Sequence, residues 1–243
     1  MLKTTLQKTF SKAQNTYNKE AIIQNIMQDT LLEILTHHQN NSHFQNILEL
    51  GCGRGGFSEK ISKKLTYDNF VALDLIDFSQ SFLGKNIEFL QFDIENLEMI
   101  KNIYQNITFD LIASNAALQW TNQFKLLPKF SQLAHKNSLL LLGIFGKHNL
   151  WEMREFLGNG LEYLDTFNYK TLLQQEWEIL ECFSTLHTLH FHHPLEVFRH
   201  LKNTGVNVYS TSLTLTKTHL KSYEERFENN LTYEPLYIFA QKK

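Results

Sequence analysis

The chain is 243 residues long, 42% apolar and 20% charged, with a formal net charge of −2. That length accommodates one α/β domain with an insertion and a sizeable core. The near-neutral balance gives no basis for a nucleic-acid partner, which shows as a basic domain or stripe. No stretch reads as long and apolar enough to span a bilayer, so no membrane partner is expected. Cys52 and Cys182 make no metal spacing and point to a reducing compartment. The opening MLKTTLQKTFSKAQNTY lacks the apolar core of a signal peptide, so the expectation is a cytoplasmic protein with no metal.

In chain order, Ile22, Ile23, Ile26, Met27, Leu31, Ile34 and Leu35 recur at helical spacing, which predicts a helix over 18–35 packed on the core. A loop over 39–44 leads to a strand over 46–50, a glycine-rich turn and a helix over 56–65. Buried strands follow over 70–75, 87–92 and from 109, then a helix over 125–134 and an apolar strand over 138–145. Helices are expected over 150–164 and 169–175 and strand material over 177–191. Pro194 opens a short helix that Gly205 ends. A polar helix over 215–228 precedes a last strand, 233–240, which Pro235 demotes toward an edge or a bulge. Reached by a hairpin from 177–191, that strand would run antiparallel to the rest. Strands alternating with helices make the fold class α/β, doubly wound.

The stretch that organises the chain is ILELGCGRGGF, residues 47–57, an apolar strand carrying Glu49 that meets Gly51, Gly53, Gly55 and Gly56. Glycines permit backbone angles that a Cβ forbids and let a ligand approach the main chain at a helix N-terminus. The spacing satisfies G-x-G-x-x-G, the dinucleotide fingerprint. It equally satisfies hh(D/E)hGxGxG, which resembles the first motif of S-adenosylmethionine-dependent methyltransferases. Glu49 favours the second, because a carboxylate there can hold a cationic amino group and would repel a pyrophosphate.

Asp74 ends the next strand, beside Leu75, about 20 residues past the turn, where an acid can hold ribose hydroxyls. Asp74 as a plain turn cap is the structural alternative. Asp93 and Ile94 follow the third strand. In the methyltransferase plan that strand end lies beside the adenine, where a carboxylate can accept a hydrogen bond from the exocyclic amine. FDLIASNAALQW, residues 109–120, is a strand running into a loop, with Asn115 at its carboxyl end and Gln119 and Trp120 as walls of the site. Trp120 reads equally well as core. Glu49 with Gly51, Gly53 and Gly55, then Asp74, Asp93 and Asn115, agree in order and spacing with a methyltransferase rather than with a nicotinamide enzyme.

FDLIASNAALQW, FHHPLEVFRHLKNTGVN, LTYEPLYIFAQKK and the opening Phe10, Ala13, Tyr17 pattern together resemble the malonyl-acyl-carrier-protein O-methyltransferases of biotin synthesis, over nearly the whole chain. The resemblance implies a Rossmann-like methyltransferase sheet, mostly parallel with an antiparallel C-terminal strand, a helical N-terminal lid and a helical insertion near the C-terminus. As one domain over 1–243 it would divide into lid and first helix (1–36), cofactor core (46–145), substrate-side elements (146–232) and last strand (233–241). It implies S-adenosylmethionine as cofactor and, as partner, acyl carrier protein bearing a malonyl-phosphopantetheine group. It also implies that Tyr17 belongs to a lid over the site. One departure stands out: where the family commonly has a Ser/Thr-containing turn after the fifth strand, this chain has GIFGKHNL, residues 143–150, so the hydroxyl's contribution is expected to be missing or replaced.

Arg199 and Lys202 are three apart on the 194–204 helix, opposite a side expected to bury Leu195, Phe198 and Leu201. That cationic face suits the acidic carrier or its arm, with Arg199 a candidate for the substrate carboxylate; two solvated surface cations are the plain alternative. His187, His190, His192 and His193 do not share one strand face and lack a completing ligand, so no metal is expected. The competing functions are a nicotinamide oxidoreductase, a methyltransferase of another small carboxylate, and a methyltransferase fold retained only for binding.

Overall fold

The computed structural model describes residues 20–39, 43–105, 107–204 and 215–243. Tyr17, the rest of the expected lid over 1–19, and Gly205 lie outside the described residues. The elements in chain order are α1 (Ile22–His38), β1 (His43–Leu50), α2 (Gly56–Lys64), β2 (Thr66–Asp74), β3 (Glu88–Gln91), α3 (Leu97–Ile103), β4 (Phe109–Asn115), α4 (Gln123–Leu126) and β5 (Ala134–Phe145). They continue with α5 (Trp151–Leu157), α6 (Thr166–Leu173), β6 (Trp177–Ser184), β7 (His187–His190), α7 (Pro194–Asn203), α8 (Lys217–Phe227), β8 (Asn230–Tyr233) and β9 (Pro235–Lys242).

Seven strands form one sheet in the order β3-β2-β1-β4-β5-β9-β6. β1 pairs in parallel with β2 and β4, and β9 runs antiparallel to both β5 and β6. Side chains alternate across this sheet, as the period of a strand requires. Ile47, Leu111, Leu139, Leu141 and Phe239 face one layer, with α1, α2, α7 and α8. Leu48, Ile112, Leu140, Leu142 and Ile238 face the other, against Ile100, Phe130, Tyr169 and Trp177. Covering both faces explains why the central strands read as nearly continuous apolar runs.

Four expectations need correction. The helix expected over 125–134 is a short α4 followed by a 3-10 stretch, Leu127–Leu133, whose second residue is Pro128. The helix expected over 150–164 stops at Leu157, because Gly158 turns left-handed at φ 70° and its N–H closes on Arg154 O at 2.9 Å. The strand material over 177–191 divides into β6, in the main sheet, and β7, which pairs with β8 in a separate ribbon. β9 is neither an edge strand nor the arm of a hairpin: it inserts between β5 and β6, with β7, α7, α8 and β8 intervening in the chain. Pro235 is tolerated because it is the first residue of the strand, where its missing N–H is least costly, and its carbonyl accepts from Thr185 N at 2.9 Å.

Candidate functional site

Parallel β1, β2 and β4 end on the same side of the sheet, and the glycine turn caps them. Gly51 N and Cys52 N both donate to Leu73 O, at 2.8 and 2.9 Å, folding the turn back over β2. Gly51 has φ 76°, and a Cβ there would sit 2.2 Å from that of Ala117, so only glycine fits. Gly55, at φ 81°, heads α2 and gives it no side-chain cap, which leaves first-turn N–H groups of that helix for a ligand.

One cleft opens beside this turn. Glu49, Gly51, Gly53, Asp74 and Leu75 line it from β1 and β2; Asp93, Ile94, Asn115 and Trp120 line it from β3 and β4. The sequence-predicted set is thus brought together from strand ends far apart in the chain. Gly55 stands behind the wall, where its neighbour Gly56 takes the lining position. Gln119 is turned away from the cleft: it is buried and its Nε2 donates to Ala116 O at 2.7 Å. Arg199 and Lys202 are exposed on α7 and do not line the cleft. Beneath them Val197, Phe198 and Leu201 are buried, while Leu195 is half-buried rather than part of the core.

The acids differ in their surroundings. Glu49 is 1% exposed and accepts a short hydrogen bond from Ser58 Oγ. Burial pushes its carboxyl up to about 8; the Ser58 bond opposes this and the neighbouring Asp74 charge adds to it. Asp74 accepts from Gly53 N at 2.8 Å through one oxygen and from Ile76 N at 2.9 Å through the other, so it both fastens the glycine turn and retains lone pairs toward the cleft. Burial raises its pKa, and the bonds from Ile76 and Gly53 oppose the rise. Asp93 accepts from Glu95 N at 3.1 Å and caps the 3-10 turn Ile94–Asn96. Asn115 donates to Gln24 O at 3.1 Å, while its own Oδ1 is buried without a donor among the described residues.

Sequence reasoning missed the cleft's fourth wall, α1, which contributes Ala21, Gln24, Asn25 and Gln28. The available signal was a pair of glutamines four apart, which share a helix face with Leu31 and Leu35 and so set two amides on the buried side of the helix. It also missed two polar clusters on the substrate-side elements. His200, 4% exposed, lies between Glu20 Oε2 at 3.1 Å and Tyr233 OH at 2.9 Å. The turn after β5 is tied down by Glu234: its carboxylate accepts from His148 N at 2.5 Å and Ser184 Oγ at 2.8 Å, and its carbonyl from Gly146 N at 2.8 Å. Asn149 Oδ1 closes the cluster by accepting from Glu234 N at 3.2 Å. A carboxylate anchor therefore stands where the departure in GIFGKHNL pointed to a missing hydroxyl. Among the clustered histidines, His193 has a structural duty, accepting from Leu195 N at 3.1 Å as the cap of α7.

Residues 30–186 match the family model described as FtsJ-like methyltransferase. A malonyl-[acyl-carrier protein] O-methyltransferase of Calditerrivibrio nitroreducens is 32% identical over 98% of this chain and 96% of its own length. Its counterpart in Haemophilus influenzae is 31% identical over 98% of this chain and 94% of its own. Among solved structures, the N-methyltransferase NodS of Bradyrhizobium japonicum in complex with S-adenosylhomocysteine superposes with a TM-score of 0.52 at 12% identity, over 94% of this chain and 98% of that one. The 1,6-didemethyltoxoflavin-N1-methyltransferase of Burkholderia thailandensis does so with a TM-score of 0.55 at 13% identity, over 96% and 87%. At such identities the structures speak to the fold alone, and the fold agrees with the mostly parallel sheet and its antiparallel last strand.

Proposed function

The chain belongs to the malonyl-[acyl-carrier protein] O-methyltransferase family, and on that footing we propose that it transfers the methyl group of S-adenosylmethionine to the free carboxylate of a malonyl thioester on acyl carrier protein. The observation that carries the reading is a buried carboxylate, Glu49, beneath a glycine turn and an uncapped helix N-terminus. That combination suits a ligand bearing an ammonium and a carboxylate. The nicotinamide alternative, left open by the glycine spacing, gives way to the methyltransferase family.

The residues fit the cofactor. Glu49 would face its ammonium, Asp74 would take ribose hydroxyls with the lone pairs that Gly53 and Ile76 leave unused, and Asp93 with Ile94 would flank the adenine. Gly51, Gly53 and Gly55 shape the turn, Leu75 would lie beside the ribose, and Asn115 Oδ1, without a donor among the described residues, would offer one more acceptor. The cofactor when bound supplies an electrophilic methyl on a sulfonium.

A malonyl carboxylate, with a reference pKa of about 4, is already ionised at neutral pH, so the site needs no general base. An anion meets a cation and neutral products form, so charge disappears toward the transition state and water slows the step. The protein therefore accelerates it by alignment and by exclusion of water. Trp120, on the cleft wall, serves the second purpose. A tight cationic clamp on the malonyl carboxylate would hold the ground state better than the transition state. The exposed positions of Arg199 and Lys202 support a docking role toward the acidic carrier. The resemblance gives Tyr17 a place in the lid. Cys52 and Cys182, both unpaired, support a reducing cytoplasm as the compartment. The methyl ester so formed would prime the acyl chain of biotin precursor synthesis.

The test is incubation with methyl-labelled cofactor and malonyl-carrier protein, followed by mass analysis. We expect one methyl on the acyl carboxylate, released as methanol by alkali. Label that goes instead to another small carboxylate would move the acceptor. No transfer to any acceptor, with cofactor still bound, would leave a binding module.

A further inference from the structure

Gln28 lies on α1, where no feature of the glycine turn or the strand ends points to it, yet it lines the cleft. Its Oε1 is fully buried and finds no donor among the described residues. A buried amide oxygen without a donor costs free energy that native structures seldom leave uncompensated. The amide lies against the head of α2: a Cβ built on Gly56 would be 3.7 Å from Gln28 Nε2 and 4.0 Å from Oε1. The first-turn N–H groups of α2 attract a carboxylate at that place. Glu49, in the same cleft, attracts an ammonium.

We propose that Gln28 is a specificity-determining residue that clamps the α-amino-carboxylate end of the cofactor, its carbonyl accepting from the ammonium and its NH₂ donating to the carboxylate. A primary amide is the neutral side chain that presents a donor and an acceptor side by side, so it matches a zwitterion whichever way its two heavy atoms are assigned. A charged residue at this position would repel one half of the ligand. Asn115 contributes an acceptor from the opposite wall, but its NH₂ is already committed to Gln24 O. Gln28 is thus the amide with both functions at the head of α2. This rests on the cofactor reading above.

The experiment uses the full chain and calorimetric titration with three probes: S-adenosylhomocysteine; its decarboxylated analogue, which keeps the amine alone; and 5′-methylthioadenosine, which has the same nucleoside and sulfur and no amino acid. Gln28→Leu should weaken S-adenosylhomocysteine about tenfold or more and leave 5′-methylthioadenosine within about twofold, because the lost hydrogen bonds go to charged groups. Gln28→Glu, which keeps the shape and so guards against misfolding, should weaken S-adenosylhomocysteine yet bind the decarboxylated amine at least as well as the parent. Equal affinity of the parent and both variants for S-adenosylhomocysteine would overturn the proposal, as would equal losses for S-adenosylhomocysteine and 5′-methylthioadenosine. If the parent bound none of the three, the cofactor reading would fall and Gln28's role with it.

Discussion

Glu49 and Glu234 are both buried carboxylates at the ligand side of one sheet, and they do opposite things. Glu234 is 7% exposed and has a donor from its own chain on each oxygen, His148 N and Ser184 Oγ, closing a turn onto the start of β9. Glu152 behaves likewise, taking both the N–H and the hydroxyl of Thr232, at 3.0 and 2.5 Å. Glu49 receives a bond from Ser58, and burial raises its pKa to about 8. On the proposed reading the difference separates a stability anchor from a binding group: one acid is completed by its own chain, the other would be completed by a cation from outside. A buried acid signifies function only when its own fold leaves it unfinished.

The comparison can be broken first at the turn that both parts of the cleft need. Gly51→Ala should cost about 2–4 kcal/mol, since it combines a left-handed backbone with overlap against Ala117, and should abolish cofactor binding. Denaturant unfolding and calorimetry read the two losses. Next come the two acids. Glu234→Leu should destabilise by about 2–3 kcal/mol, by orphaning the His148 N–H and Ser184 hydroxyl, and leave affinity for S-adenosylhomocysteine unchanged. Glu49→Gln should show the reverse, with unchanged or increased stability at neutral pH and kcat/KM lower by about a hundredfold, the scale of a lost charge-assisted contact of roughly 3 kcal/mol.

The pH profile sharpens the same contrast. Between the ordinary value of 4.5 and about 8, the folded chain keeps on Glu49 a proton that the unfolded chain has released. The folded state then binds more protons, so stability declines as pH rises through that window, by on the order of a few kcal/mol in full. Melting temperature against pH should slope downward for the parent and less for Glu49→Gln. Saturation with S-adenosylmethionine should flatten the parent's slope, because a bound cation favours the ionised carboxylate. The smallest effect is expected on the proposed docking surface of α7: Arg199→Ala with Lys202→Ala should raise KM for the carrier-bound substrate severalfold and leave a pantetheine-bound substrate unaffected. Equal losses on both substrates would remove the docking role.

What the sequence disclosed was local. Glu49, Gly51, Asp74, Asp93 and Asn115 each sit at a strand end with a short-range signature, and the parallel sheet gathers such ends on one side without further instruction. Gln24 and Gln28 carry no such signature; they reach the cleft because α1 packs beside the head of α2. The antiparallel direction of β9 was legible, but its place inside the sheet was not, for a related reason. Pro235 speaks only about its own N–H, whereas insertion between β5 and β6 is decided by pairings with residues far away in the chain. Pro128 and Gly158, by contrast, were visible stop signals inside expected helices, and giving them their ordinary weight would have shortened both.

The most direct test of the central claim is calorimetric titration of S-adenosylhomocysteine into the parent chain and Glu49→Gln at neutral pH. If Glu49 is the group left for a cation, the parent should bind one ligand per chain and the variant should lose affinity by tens of fold. Identical dissociation constants, or no heat from either protein, would contradict it.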